Sequence, residues 1–559
     1  RAPSKTRFVR QRRGVATFCR TMGYGVAVLL GLWVGAALAD DWPQLGGSPG
    51  RNAVSAAKGL SVEFEPGDFD ADGNPDPASP GKNILWTARL GTETYGTPVV
   101  ARDKVFCATN NGAGYLARVP ADEDCGCLIA FRRDDGQFLW QYTAPVLGDE
   151  SINWPEQGIC STPLVEGERL WIVTNRCEVV CLDTEGFRDG ENDGPVTDEE
   201  STEIHEADVV WRFDMRTAWN VHPLYMTASS VTAVGDLLFV CTSNGTDEKG
   251  VVVAPQAPSF AAFDKNTGEP VWTSNLPGEN ILQGQWSSPA AGVLGGVPQV
   301  LFAGGDGWVY AFRADVRTNP PELLWKFDAN PKTAVYKKGG LGDRNYPIAA
   351  PVIAGERVYI STGCDPQLGD GQGDFWCIEP GTRRGDISAE LVVDAAGKPV
   401  PPARERAVDP EAGQKVVPNP NSAVVWHYRG EDVDGNGKVD YEEAFHRTLG
   451  SPVVVDGLVI VGDFSGIVHC FDAETGKHLW YYDMFASVWA SPVAVDGKIY
   501  LPDEDGDVAV FPITREATEP LAENMMLESV YGSPVAVDGV LYIAARNHLF
   551  AVAEKDDRP

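Results

Sequence analysis

An eleven-residue pattern that recurs along the chain constrains its fold more than any other feature. Two copies align without gaps, at 262–272 (AFDKNTGEPVW) and 470–480 (CFDAETGKHLW), and a third at 130–140 keeps the spacing with Asp135-Gly136 in the turn. Each copy predicts a strand, a tight turn whose glycine supplies a positive φ, and a second strand that ends on tryptophan. Looser copies with insertions lie at 181–211, 311–325 and 377–426.

A second signature accompanies these copies: a small residue, usually followed by proline, before two apolar strands. It occurs eight times, at Thr97-Pro98, Thr162-Pro163, Ser229-Ser230, Ser288-Pro289, Ala350-Pro351, Ser451-Pro452, Ser491-Pro492 and Ser533-Pro534. The last three instances are 40 and 42 residues apart, which is the length of a four-stranded propeller blade. The chain is therefore predicted to form an all-β fold, a single eight-bladed β-propeller.

The two ends of the repeat region predict how the ring closes. The chain finishes on three strands with no tryptophan strand after them, whereas an orphan tryptophan strand (NILWT, 83–87) precedes the first blade. Pairing this strand with the last blade removes both open edges of the ring. The propeller is thus expected to span 83–559, after an N-terminal arm at 40–82, with insertions at about 184–207, 380–423 and 431–446.

The AxDxxTGxxxW pattern resembles the repeat of propellers of the pyrroloquinoline quinone (PQQ) type. That group includes quinoprotein alcohol dehydrogenases and the propeller lipoprotein of the outer-membrane assembly machine. Segments 283–289 (QGQWSSP) and 304–308 (GGDGW) are similar to a secreted PQQ-like subgroup of unassigned function. The repeat describes blade packing, so the resemblance implies the fold more than the activity.

For a dehydrogenase, the resemblance would imply a calcium ion beside the quinone, an aspartate base, a tryptophan floor and a ring of adjacent cysteines. This chain has no Cys-Cys pair, its nearest being Cys125-Gly126-Cys127, and no CxxCH haem motif. No nucleophile–base pair stands out either. PQQ is therefore not expected as a cofactor, and no catalytic residue is assigned.

The N-terminal segment predicts export. A basic stretch ends at Arg20, and an uncharged apolar run from 23 to 39 closes on Ala37-Leu38-Ala39, as in a signal peptide over 1–39. A membrane anchor is the alternative, but the run is short for a span of about 20 residues. No second apolar span follows, so the mature chain is expected in the periplasm or outside the cell, without a transmembrane segment.

Charge restricts the class of partner. The chain has 46 basic and 79 acidic residues, a net charge of −33. Such a surface repels phosphate backbones, which excludes nucleic acid as a partner and favours cations and basic groups.

The sharpest chemical signal is an EF-hand-like calcium loop at 432–443 (DVDGNGKVDYEE). Oxygen ligands occupy positions 1, 3, 5 and 9, glycine position 6 and glutamate position 12, which suits a cation that takes six to eight oxygens. The predicted ligands are the side chains of Asp432, Asp434, Asn436, Asp440 and Glu443 and the carbonyl of Lys438. An acidic turn without calcium is the alternative.

Two degenerate relatives of this loop are weaker calcium candidates. One has Asp68, Asp70, Asp72 and Asp76 but Ser79 in place of the glutamate. The other has Asp189, Asp193 and Glu200 but carries Glu191 at the third position.

The central funnel of a propeller is the default ligand pocket. Trp286 and Trp489 precede Ser-Pro signatures and could stack on a flat ligand; Arg344, Asn345, Asp365 and Gln367 are further candidates on loops expected at the same face. Packing at the tunnel mouth is the alternative for the tryptophans, and a plain long turn for the loop 364–373.

Cys181, Cys377 and Cys470 occupy the small position of the repeat and are expected to be buried, whereas Cys364–Cys377, and Cys107 with Cys125 or Cys127, are spaced as disulfide candidates.

These features predict a secreted, calcium-stabilised propeller that binds another protein or an extracellular polymer without catalysis. A PQQ-dependent alcohol or sugar dehydrogenase and an outer-membrane protein assembly scaffold are the alternatives.

Overall fold

The computed structural model describes residues 41–71, 73–401, 403–433 and 435–554. Its strands form eight blades of four antiparallel strands each, so the predicted eight-bladed propeller is confirmed. The predicted signal peptide, 1–39, lies outside the described residues.

The strands of blades 1 to 4 are Val99–Ala101, Lys104–Asn110, Cys125–Arg132 and Phe138–Pro145; Leu164–Glu166, Arg169–Val173, Glu178–Asp183 and Val209–Asp214; Thr232–Val234, Leu237–Cys241, Phe260–Asp264 and Pro270–Ser274; and Ala290–Leu294, Val297–Ala303, Trp308–Arg313 and Leu323–Asp328. Those of blades 5 to 8 are Val352–Ala354, Arg357–Ser361, Phe375–Ile378 and Val424–Tyr428; Val453–Val455, Leu458–Gly462, Ile467–Asp472 and His478–Asp483; Val493–Val495, Lys498–Pro502, Asp507–Pro512 and Ala522–Met525; and Val535–Val537, Val540–Ala544, His548–Val552 and Ile84–Arg89. The first strands of neighbouring blades pack against each other, which places them at the centre of the ring.

The ring closes as the sequence predicts. Strand Ile84–Arg89 pairs with His548–Val552, and Trp86 lies opposite Ala551. The last blade therefore combines one strand from the start of the propeller with three from its end.

The tryptophan of the repeat joins neighbouring blades. Its small residue lies directly opposite the tryptophan on the next strand, as in the pairs Ala130–Trp140 and Cys470–Trp480. Trp86, Trp140, Trp211 and Trp426 reach the following blade, where the ring lies against a glycine and Nε1 donates to a backbone carbonyl. Trp325 instead donates to Gln299 Oε1 of its own blade, and Trp272 Nε1 has no partner among the described residues. Trp426, for example, donates to Ala473 O at 3.1 Å, and a Cβ added to Gly476 would lie 2.5 Å from its ring.

Helix is scarce in the described part of the chain. The α-helix Met215–Trp219 follows the last strand of blade 2, and the 3-10 helices are Asn111–Ala113, Gly186–Arg188, Gly278–Asn280, Pro366–Leu368 and Tyr441–Glu443. Among these residues, no helix has the length and apolar composition needed to cross a bilayer.

The 380–423 insertion covers the outer edge of blade 4. Its strand Gly385–Asp386 pairs in parallel with Trp325 and Lys326, and its hairpin consists of Glu390–Val393 and Lys415–Pro418.

The N-terminal arm runs around the inside of the ring, an arrangement that the sequence does not reveal. Between Trp42 and Ser55 it hydrogen-bonds to the first strand of every blade, or to the residue just before that strand. Its partners in blades 1 to 8 are Val100, Val165, Val231, Pro289 and Ala291, Ile353, Val454, Ala494 and Ala536. The arm therefore blocks the end of the central channel at which these strands turn outward.

The cysteines are free thiols throughout the described residues. The disulfide candidates Cys364–Cys377 and Cys107 with Cys125 or Cys127 are thus wrong for this structure. Cys181, Cys377 and Cys470 are buried as predicted, because the tryptophan of the paired strand covers the small position of the repeat.

Candidate functional site

A belt of hydroxyl groups lines the centre of the ring. At most blade boundaries the amide of one signature residue donates to the hydroxyl of the next, as from Thr162 N to Ser230 Oγ at 2.9 Å. The six such bonds measure 2.9–3.2 Å. Blade 5 interrupts the series with Ala350, whose carbonyl accepts from Ser451 Oγ at 3.0 Å. In blade 3 the belt residue is Ser230 rather than Ser229, so the predicted alignment is one residue too early.

Above the belt lies a funnel-shaped cavity of about 500 Å³. Leu45 of the N-terminal arm also lines it. The residue two positions before each belt residue lines its wall in all eight blades, because alternate residues of an extended chain point to the same side. These wall residues are Tyr95, Cys160, Ala228, Trp286, Ile348, Leu449, Trp489 and Tyr531.

Aromatic rings concentrate on one side of the funnel. Tyr95 stacks on Tyr531 with ring centroids 5.0 Å apart, and Trp489 meets Tyr531 edge-on at 4.9 Å. Phe464 contacts Trp489 at 5.6 Å, which extends the cluster. Such a cluster of half-buried rings can stack on a planar group or hold a cation.

The charged groups of the funnel are all acidic. Asp365 and Glu504 line it, and no lysine, arginine or histidine does so among the described residues. Gln283 Nε2 donates to Asp365 Oδ2 at 2.8 Å, and Trp489 Nε1 donates to Glu504 Oε2 at 2.7 Å. Burial raises the pKa of Asp365 against the opposing effect of its hydrogen bonds.

The structure separates the predicted funnel residues into two groups. Trp286, Trp489, Asp365 and Gln367 line the funnel, whereas Arg344 and Asn345 are buried outside its lining. Sequence reasoning missed Tyr95, Tyr531 and Glu504. The two tyrosines were detectable from their position two residues before the belt, as Trp286 and Trp489 are; Glu504, on the turn after strand Lys498–Pro502, carries no such signal.

Among the described residues, the funnel lining lacks cationic partners for the carboxylates of PQQ. This cofactor carries three carboxylates, and buried anions need cationic or hydrogen-bonding partners. The lining offers two further carboxylates and, in the described part of the chain, no cation. Cys160 is not an activated nucleophile either, because burial raises its pKa to about 12.

The 432–443 loop closes on itself through its acidic side chains. Asp432 accepts from the amides of Gly435, Asn436 and Gly437 at 2.8–3.0 Å. Glu443, which is 1% exposed, accepts from Val433 N at 2.9 Å and from Asp440 N at 3.0 Å.

Through these bonds the twelfth position, Glu443, holds the backbone of the second and ninth positions of the loop. Asp434 lies outside the described residues, and within those described no three His, Cys, Asp or Glu side chains converge in a metal-binding arrangement.

Both degenerate loops have their acidic groups engaged by other partners. Asp193 pairs with Arg169 at 3.0 Å and Glu200 with Arg118 at 3.2 Å. In the earlier loop Asp70 accepts from Asn74 N at 2.8 Å, and Asp72 lies outside the described residues. Asp68, Asp189 and Glu191 are exposed, and Asp76 is half-buried.

A buried histidine network lies beside the 432–443 loop. Tyr428 OH donates to Glu443 O at 2.6 Å and lies 2.9 Å from His478 Nδ1. His478 contacts His469 at 3.2 Å, which in turn contacts Asp463 at 3.1 Å. Burial lowers the pKa of His478 to about 3, with a smaller contribution from the neighbouring His469.

Comparison with known proteins supports the fold. Residues 406–517 match the family described as outer membrane protein assembly factor BamB, and no curated protein matches the sequence. The quinohemoprotein alcohol dehydrogenase ADHIIG from Pseudomonas putida HK5 superposes with a TM-score of 0.53 at 13% identity, over 93% of this chain and 82% of that one. BamB from Moraxella catarrhalis gives a TM-score of 0.47 at 13% identity, over 85% of this chain and 98% of that one.

At 13% identity the dehydrogenase likeness establishes a shared fold and says nothing about activity. The family match covers parts of blades 5 to 7, where the gapless repeat 470–480 lies. Taken with the repeat and the closed ring of eight blades, the match is consistent with a PQQ-like β-propeller.

Proposed function

We propose that this chain is an exported, non-catalytic binding protein whose funnel holds a basic segment of a partner protein. The observation that carries the proposal is the funnel lining: a cluster of aromatic rings, a belt of hydroxyl groups and two carboxylates, with no cation among the described residues. Lysine and arginine side chains match this lining because they stack on aromatic rings and pair with carboxylates.

The charge of the whole chain supports a basic partner. A net charge of −33 attracts cationic segments over long distances and accelerates their encounter at low salt. Polypeptides supply positive charge far more often than extracellular polysaccharides do, which favours a protein over a polymer.

The connections that lead from the last strands of blades 6 and 7 to the funnel wall carry exposed apolar side chains, which suit a protein partner. Phe485 is 87% exposed and Leu527 is 60% exposed. They occupy equivalent positions, two residues after the last strands of blades 6 and 7, and both have positive φ. Large exposed apolar side chains that recur beside a pocket are typical of interaction surfaces.

Titration calorimetry with three probes tests this function: a lysine-rich peptide, a glutamate-rich peptide of equal length and a neutral oligoglucan. The lysine-rich peptide should bind and the glutamate-rich one should not. Glu504→Gln should weaken binding roughly tenfold, since it removes one charged hydrogen-bonding partner. Glu474→Gln, an exposed glutamate of blade 6, is the matched control.

Preference for the oligoglucan would replace the protein partner with a polymer. Absence of binding by all three probes would refute a binding role for the funnel. A shift of the visible spectrum of PQQ on mixing with the protein and Ca²⁺ would instead support quinone-dependent oxidation. A scaffold in outer-membrane protein assembly, which the family match over 406–517 favours, is one form of the proposed role.

We also propose that the 432–443 loop binds one Ca²⁺ and thereby stabilises the junction of blades 5 and 6. Asp432, Asp434, Asn436, Asp440 and Glu443 would hold it through side chains and Lys438 through its carbonyl, a donor set of oxygens that fits the ion. The loop joins strand Val424–Tyr428 of blade 5 to the first strand of blade 6. At about 100 times its dissociation constant, calcium would add roughly 2.7 kcal/mol to the free energy of unfolding.

Calorimetric melts with and without Ca²⁺ test the calcium site. Glu443→Gln removes the charge of the twelfth position and should abolish most of the calcium-induced shift. Glu442→Gln, the neighbouring glutamate outside the ligand pattern, should retain it. An equal shift in both variants would contradict the assignment.

A further inference from the structure

A second cavity lies at the edge of blade 4, apart from the funnel, with a volume of about 110 Å³. Its lining comes from five parts of the chain. They are Asn280 before blade 4, Asp306 and Trp308 at the start of its third strand, Lys326 on its last strand, Arg344 after it, and Arg404 from the 380–423 insertion. No residue is shared between this lining and that of the funnel.

A buried ion cluster surrounds Arg344, which lines the cavity. Asp328 pairs with Lys332 at 2.7 Å and with Arg344 at 3.3 Å, and the three side chains are at most 3% exposed. One carboxylate therefore faces two cations. The Nε of Arg344 is buried and has no hydrogen-bond partner in the described part of the chain, and a buried donor of this kind is costly to leave unpaired.

The carboxylate of Asp306 forms no ion pair, among the described residues, that would balance this excess of positive charge. Its carboxylate accepts from Tyr310 OH at 2.7 Å and from Trp308 N at 3.1 Å. Arg344 Nη2 instead donates to the backbone carbonyl of Asp306 at 3.0 Å.

Two more cations, Lys326 and Arg404, line the cavity without an acidic partner among the described residues. Lys326 Nζ lies 4.5 Å from the centroid of the Trp308 ring, a ring that Lys332 Nζ also approaches, to 4.2 Å. Arg404 donates to the carbonyls of Ile281 and Gly250, at 2.8 Å each. Over the described residues, neither Lys326 nor Arg404 forms an ion pair.

The cavity therefore concentrates positive charge on a chain that is otherwise strongly acidic. Lys326, Arg344 and Arg404 line it against the single carboxylate of Asp306. Three cations around one carboxylate, with one buried guanidinium donor unpaired, form an arrangement that an anion would complete.

We propose that this cavity is a binding site for a small tetrahedral oxyanion, phosphate or sulfate. A volume of about 110 Å³ holds more than one water molecule but is well below the 300–1,000 Å³ of pockets for larger ligands. The bound group is therefore one free oxyanion rather than a nucleotide. Arg344 Nε, Lys326 and Arg404 supply the charged donors, and the exposed Asn280 lies at the entrance.

The anion would also join the insertion to the propeller. Arg404 belongs to the 380–423 insertion, whereas Lys326 and Arg344 belong to blade 4 and the connection that follows it. An oxyanion that bridges these cations would hold the insertion against the blade, so its binding should protect this segment from proteolysis.

Titration calorimetry of the mature chain with sodium phosphate, sodium sulfate and sodium acetate tests the site, at constant ionic strength set with chloride. Phosphate or sulfate should bind with one-to-one stoichiometry, and whichever binds more tightly identifies the ligand; acetate should not bind. Lys326→Gln and Arg404→Gln should each weaken binding roughly tenfold, because each removes one charged donor. Lys249→Gln, which removes the same charge from an exposed position, should leave the affinity unchanged.

Limited proteolysis supplies an independent readout. In the wild type, the bound anion should slow cleavage within 394–414, and in Lys326→Gln it should not. Absence of saturable binding by both tetrahedral anions, or equal affinities in Lys326→Gln and Lys249→Gln, would overturn the proposal. Tight acetate binding would overturn the tetrahedral class.

Discussion

Replacing Gly476 by alanine tests whether tryptophan docking holds the blades together. Gly476 has a φ of +72°, and an added Cβ would lie 2.5 Å from the Trp426 ring. The left-handed conformation costs an alanine about 1–2 kcal/mol. Displacement of the ring adds about 1–3 kcal/mol for overpacking, and the loss of the Trp426–Ala473 hydrogen bond adds about 1 kcal/mol. The total expected loss of stability is about 3–6 kcal/mol.

Gly457 provides a matched control in the same blade. Its φ is +75°, and an added Cβ would meet nothing within 4 Å. Gly457→Ala should therefore cost only the backbone strain of about 1–2 kcal/mol. Urea unfolding followed by tryptophan fluorescence measures both variants. Equal losses of stability would refute the docking role of Trp426, since only Gly476 faces the ring.

Three further predictions follow from closure, from the arm and from the histidine network. Trp86→Ala should lower the free energy of unfolding by about 3–5 kcal/mol. Leu85→Ala on the same strand, where the side chain is 44% exposed, should change it by less than about 0.5 kcal/mol. Similar losses for the two variants in urea unfolding would argue against closure through this strand. Arg51 donates to Leu45 O, Pro289 O and Val231 O at 2.8–2.9 Å, so Arg51→Ala should release the arm to protease, and unchanged cleavage would contradict its anchoring role. His478 has a folded pKa of about 3, below its unfolded value, so the free energy of unfolding should fall as pH drops from about 6.5 towards 3. For this group the fall is at most about 1.4 kcal/mol per pH unit. The dependence of stability on pH should be weaker in His478→Gln, and an unchanged dependence would exclude His478 as its source.

The ring could be predicted from the sequence because most blades repeat the same pairing of a small residue with a tryptophan on the next strand. The small residue and its tryptophan lie opposite each other on paired strands even where a long insertion separates them, as between Cys181 and Trp211. The orphan strand around Trp86 was identified for the same reason. The partner of each tryptophan was not predictable, since the ring contacts the next blade rather than its own hairpin.

The site was less predictable because it is assembled from single residues of many blades. Trp286 and Trp489 were identified from their distance to the Ser-Pro signature, and the same distance would have identified Tyr95 and Tyr531. Arg344 was misplaced because its loop belongs to the expected face, yet Asp328 draws its side chain into the blade. The arm left no signal, since its contacts are mostly backbone hydrogen bonds, which any sequence can make.

The path of the arm sets the order in which the molecule can be completed. Asn52 bonds to Val454 across 402 residues, and Ser55 bonds to Ala536 across 481. The segment that leaves the ribosome early must therefore wait for almost the whole chain before its last partner exists. Contacts of such high order form late and slowly, so the arm stays unpaired until late in folding. Once bound, the arm contacts all eight blades, and its hydrogen bond to Ala536 can form only after the eighth blade has folded.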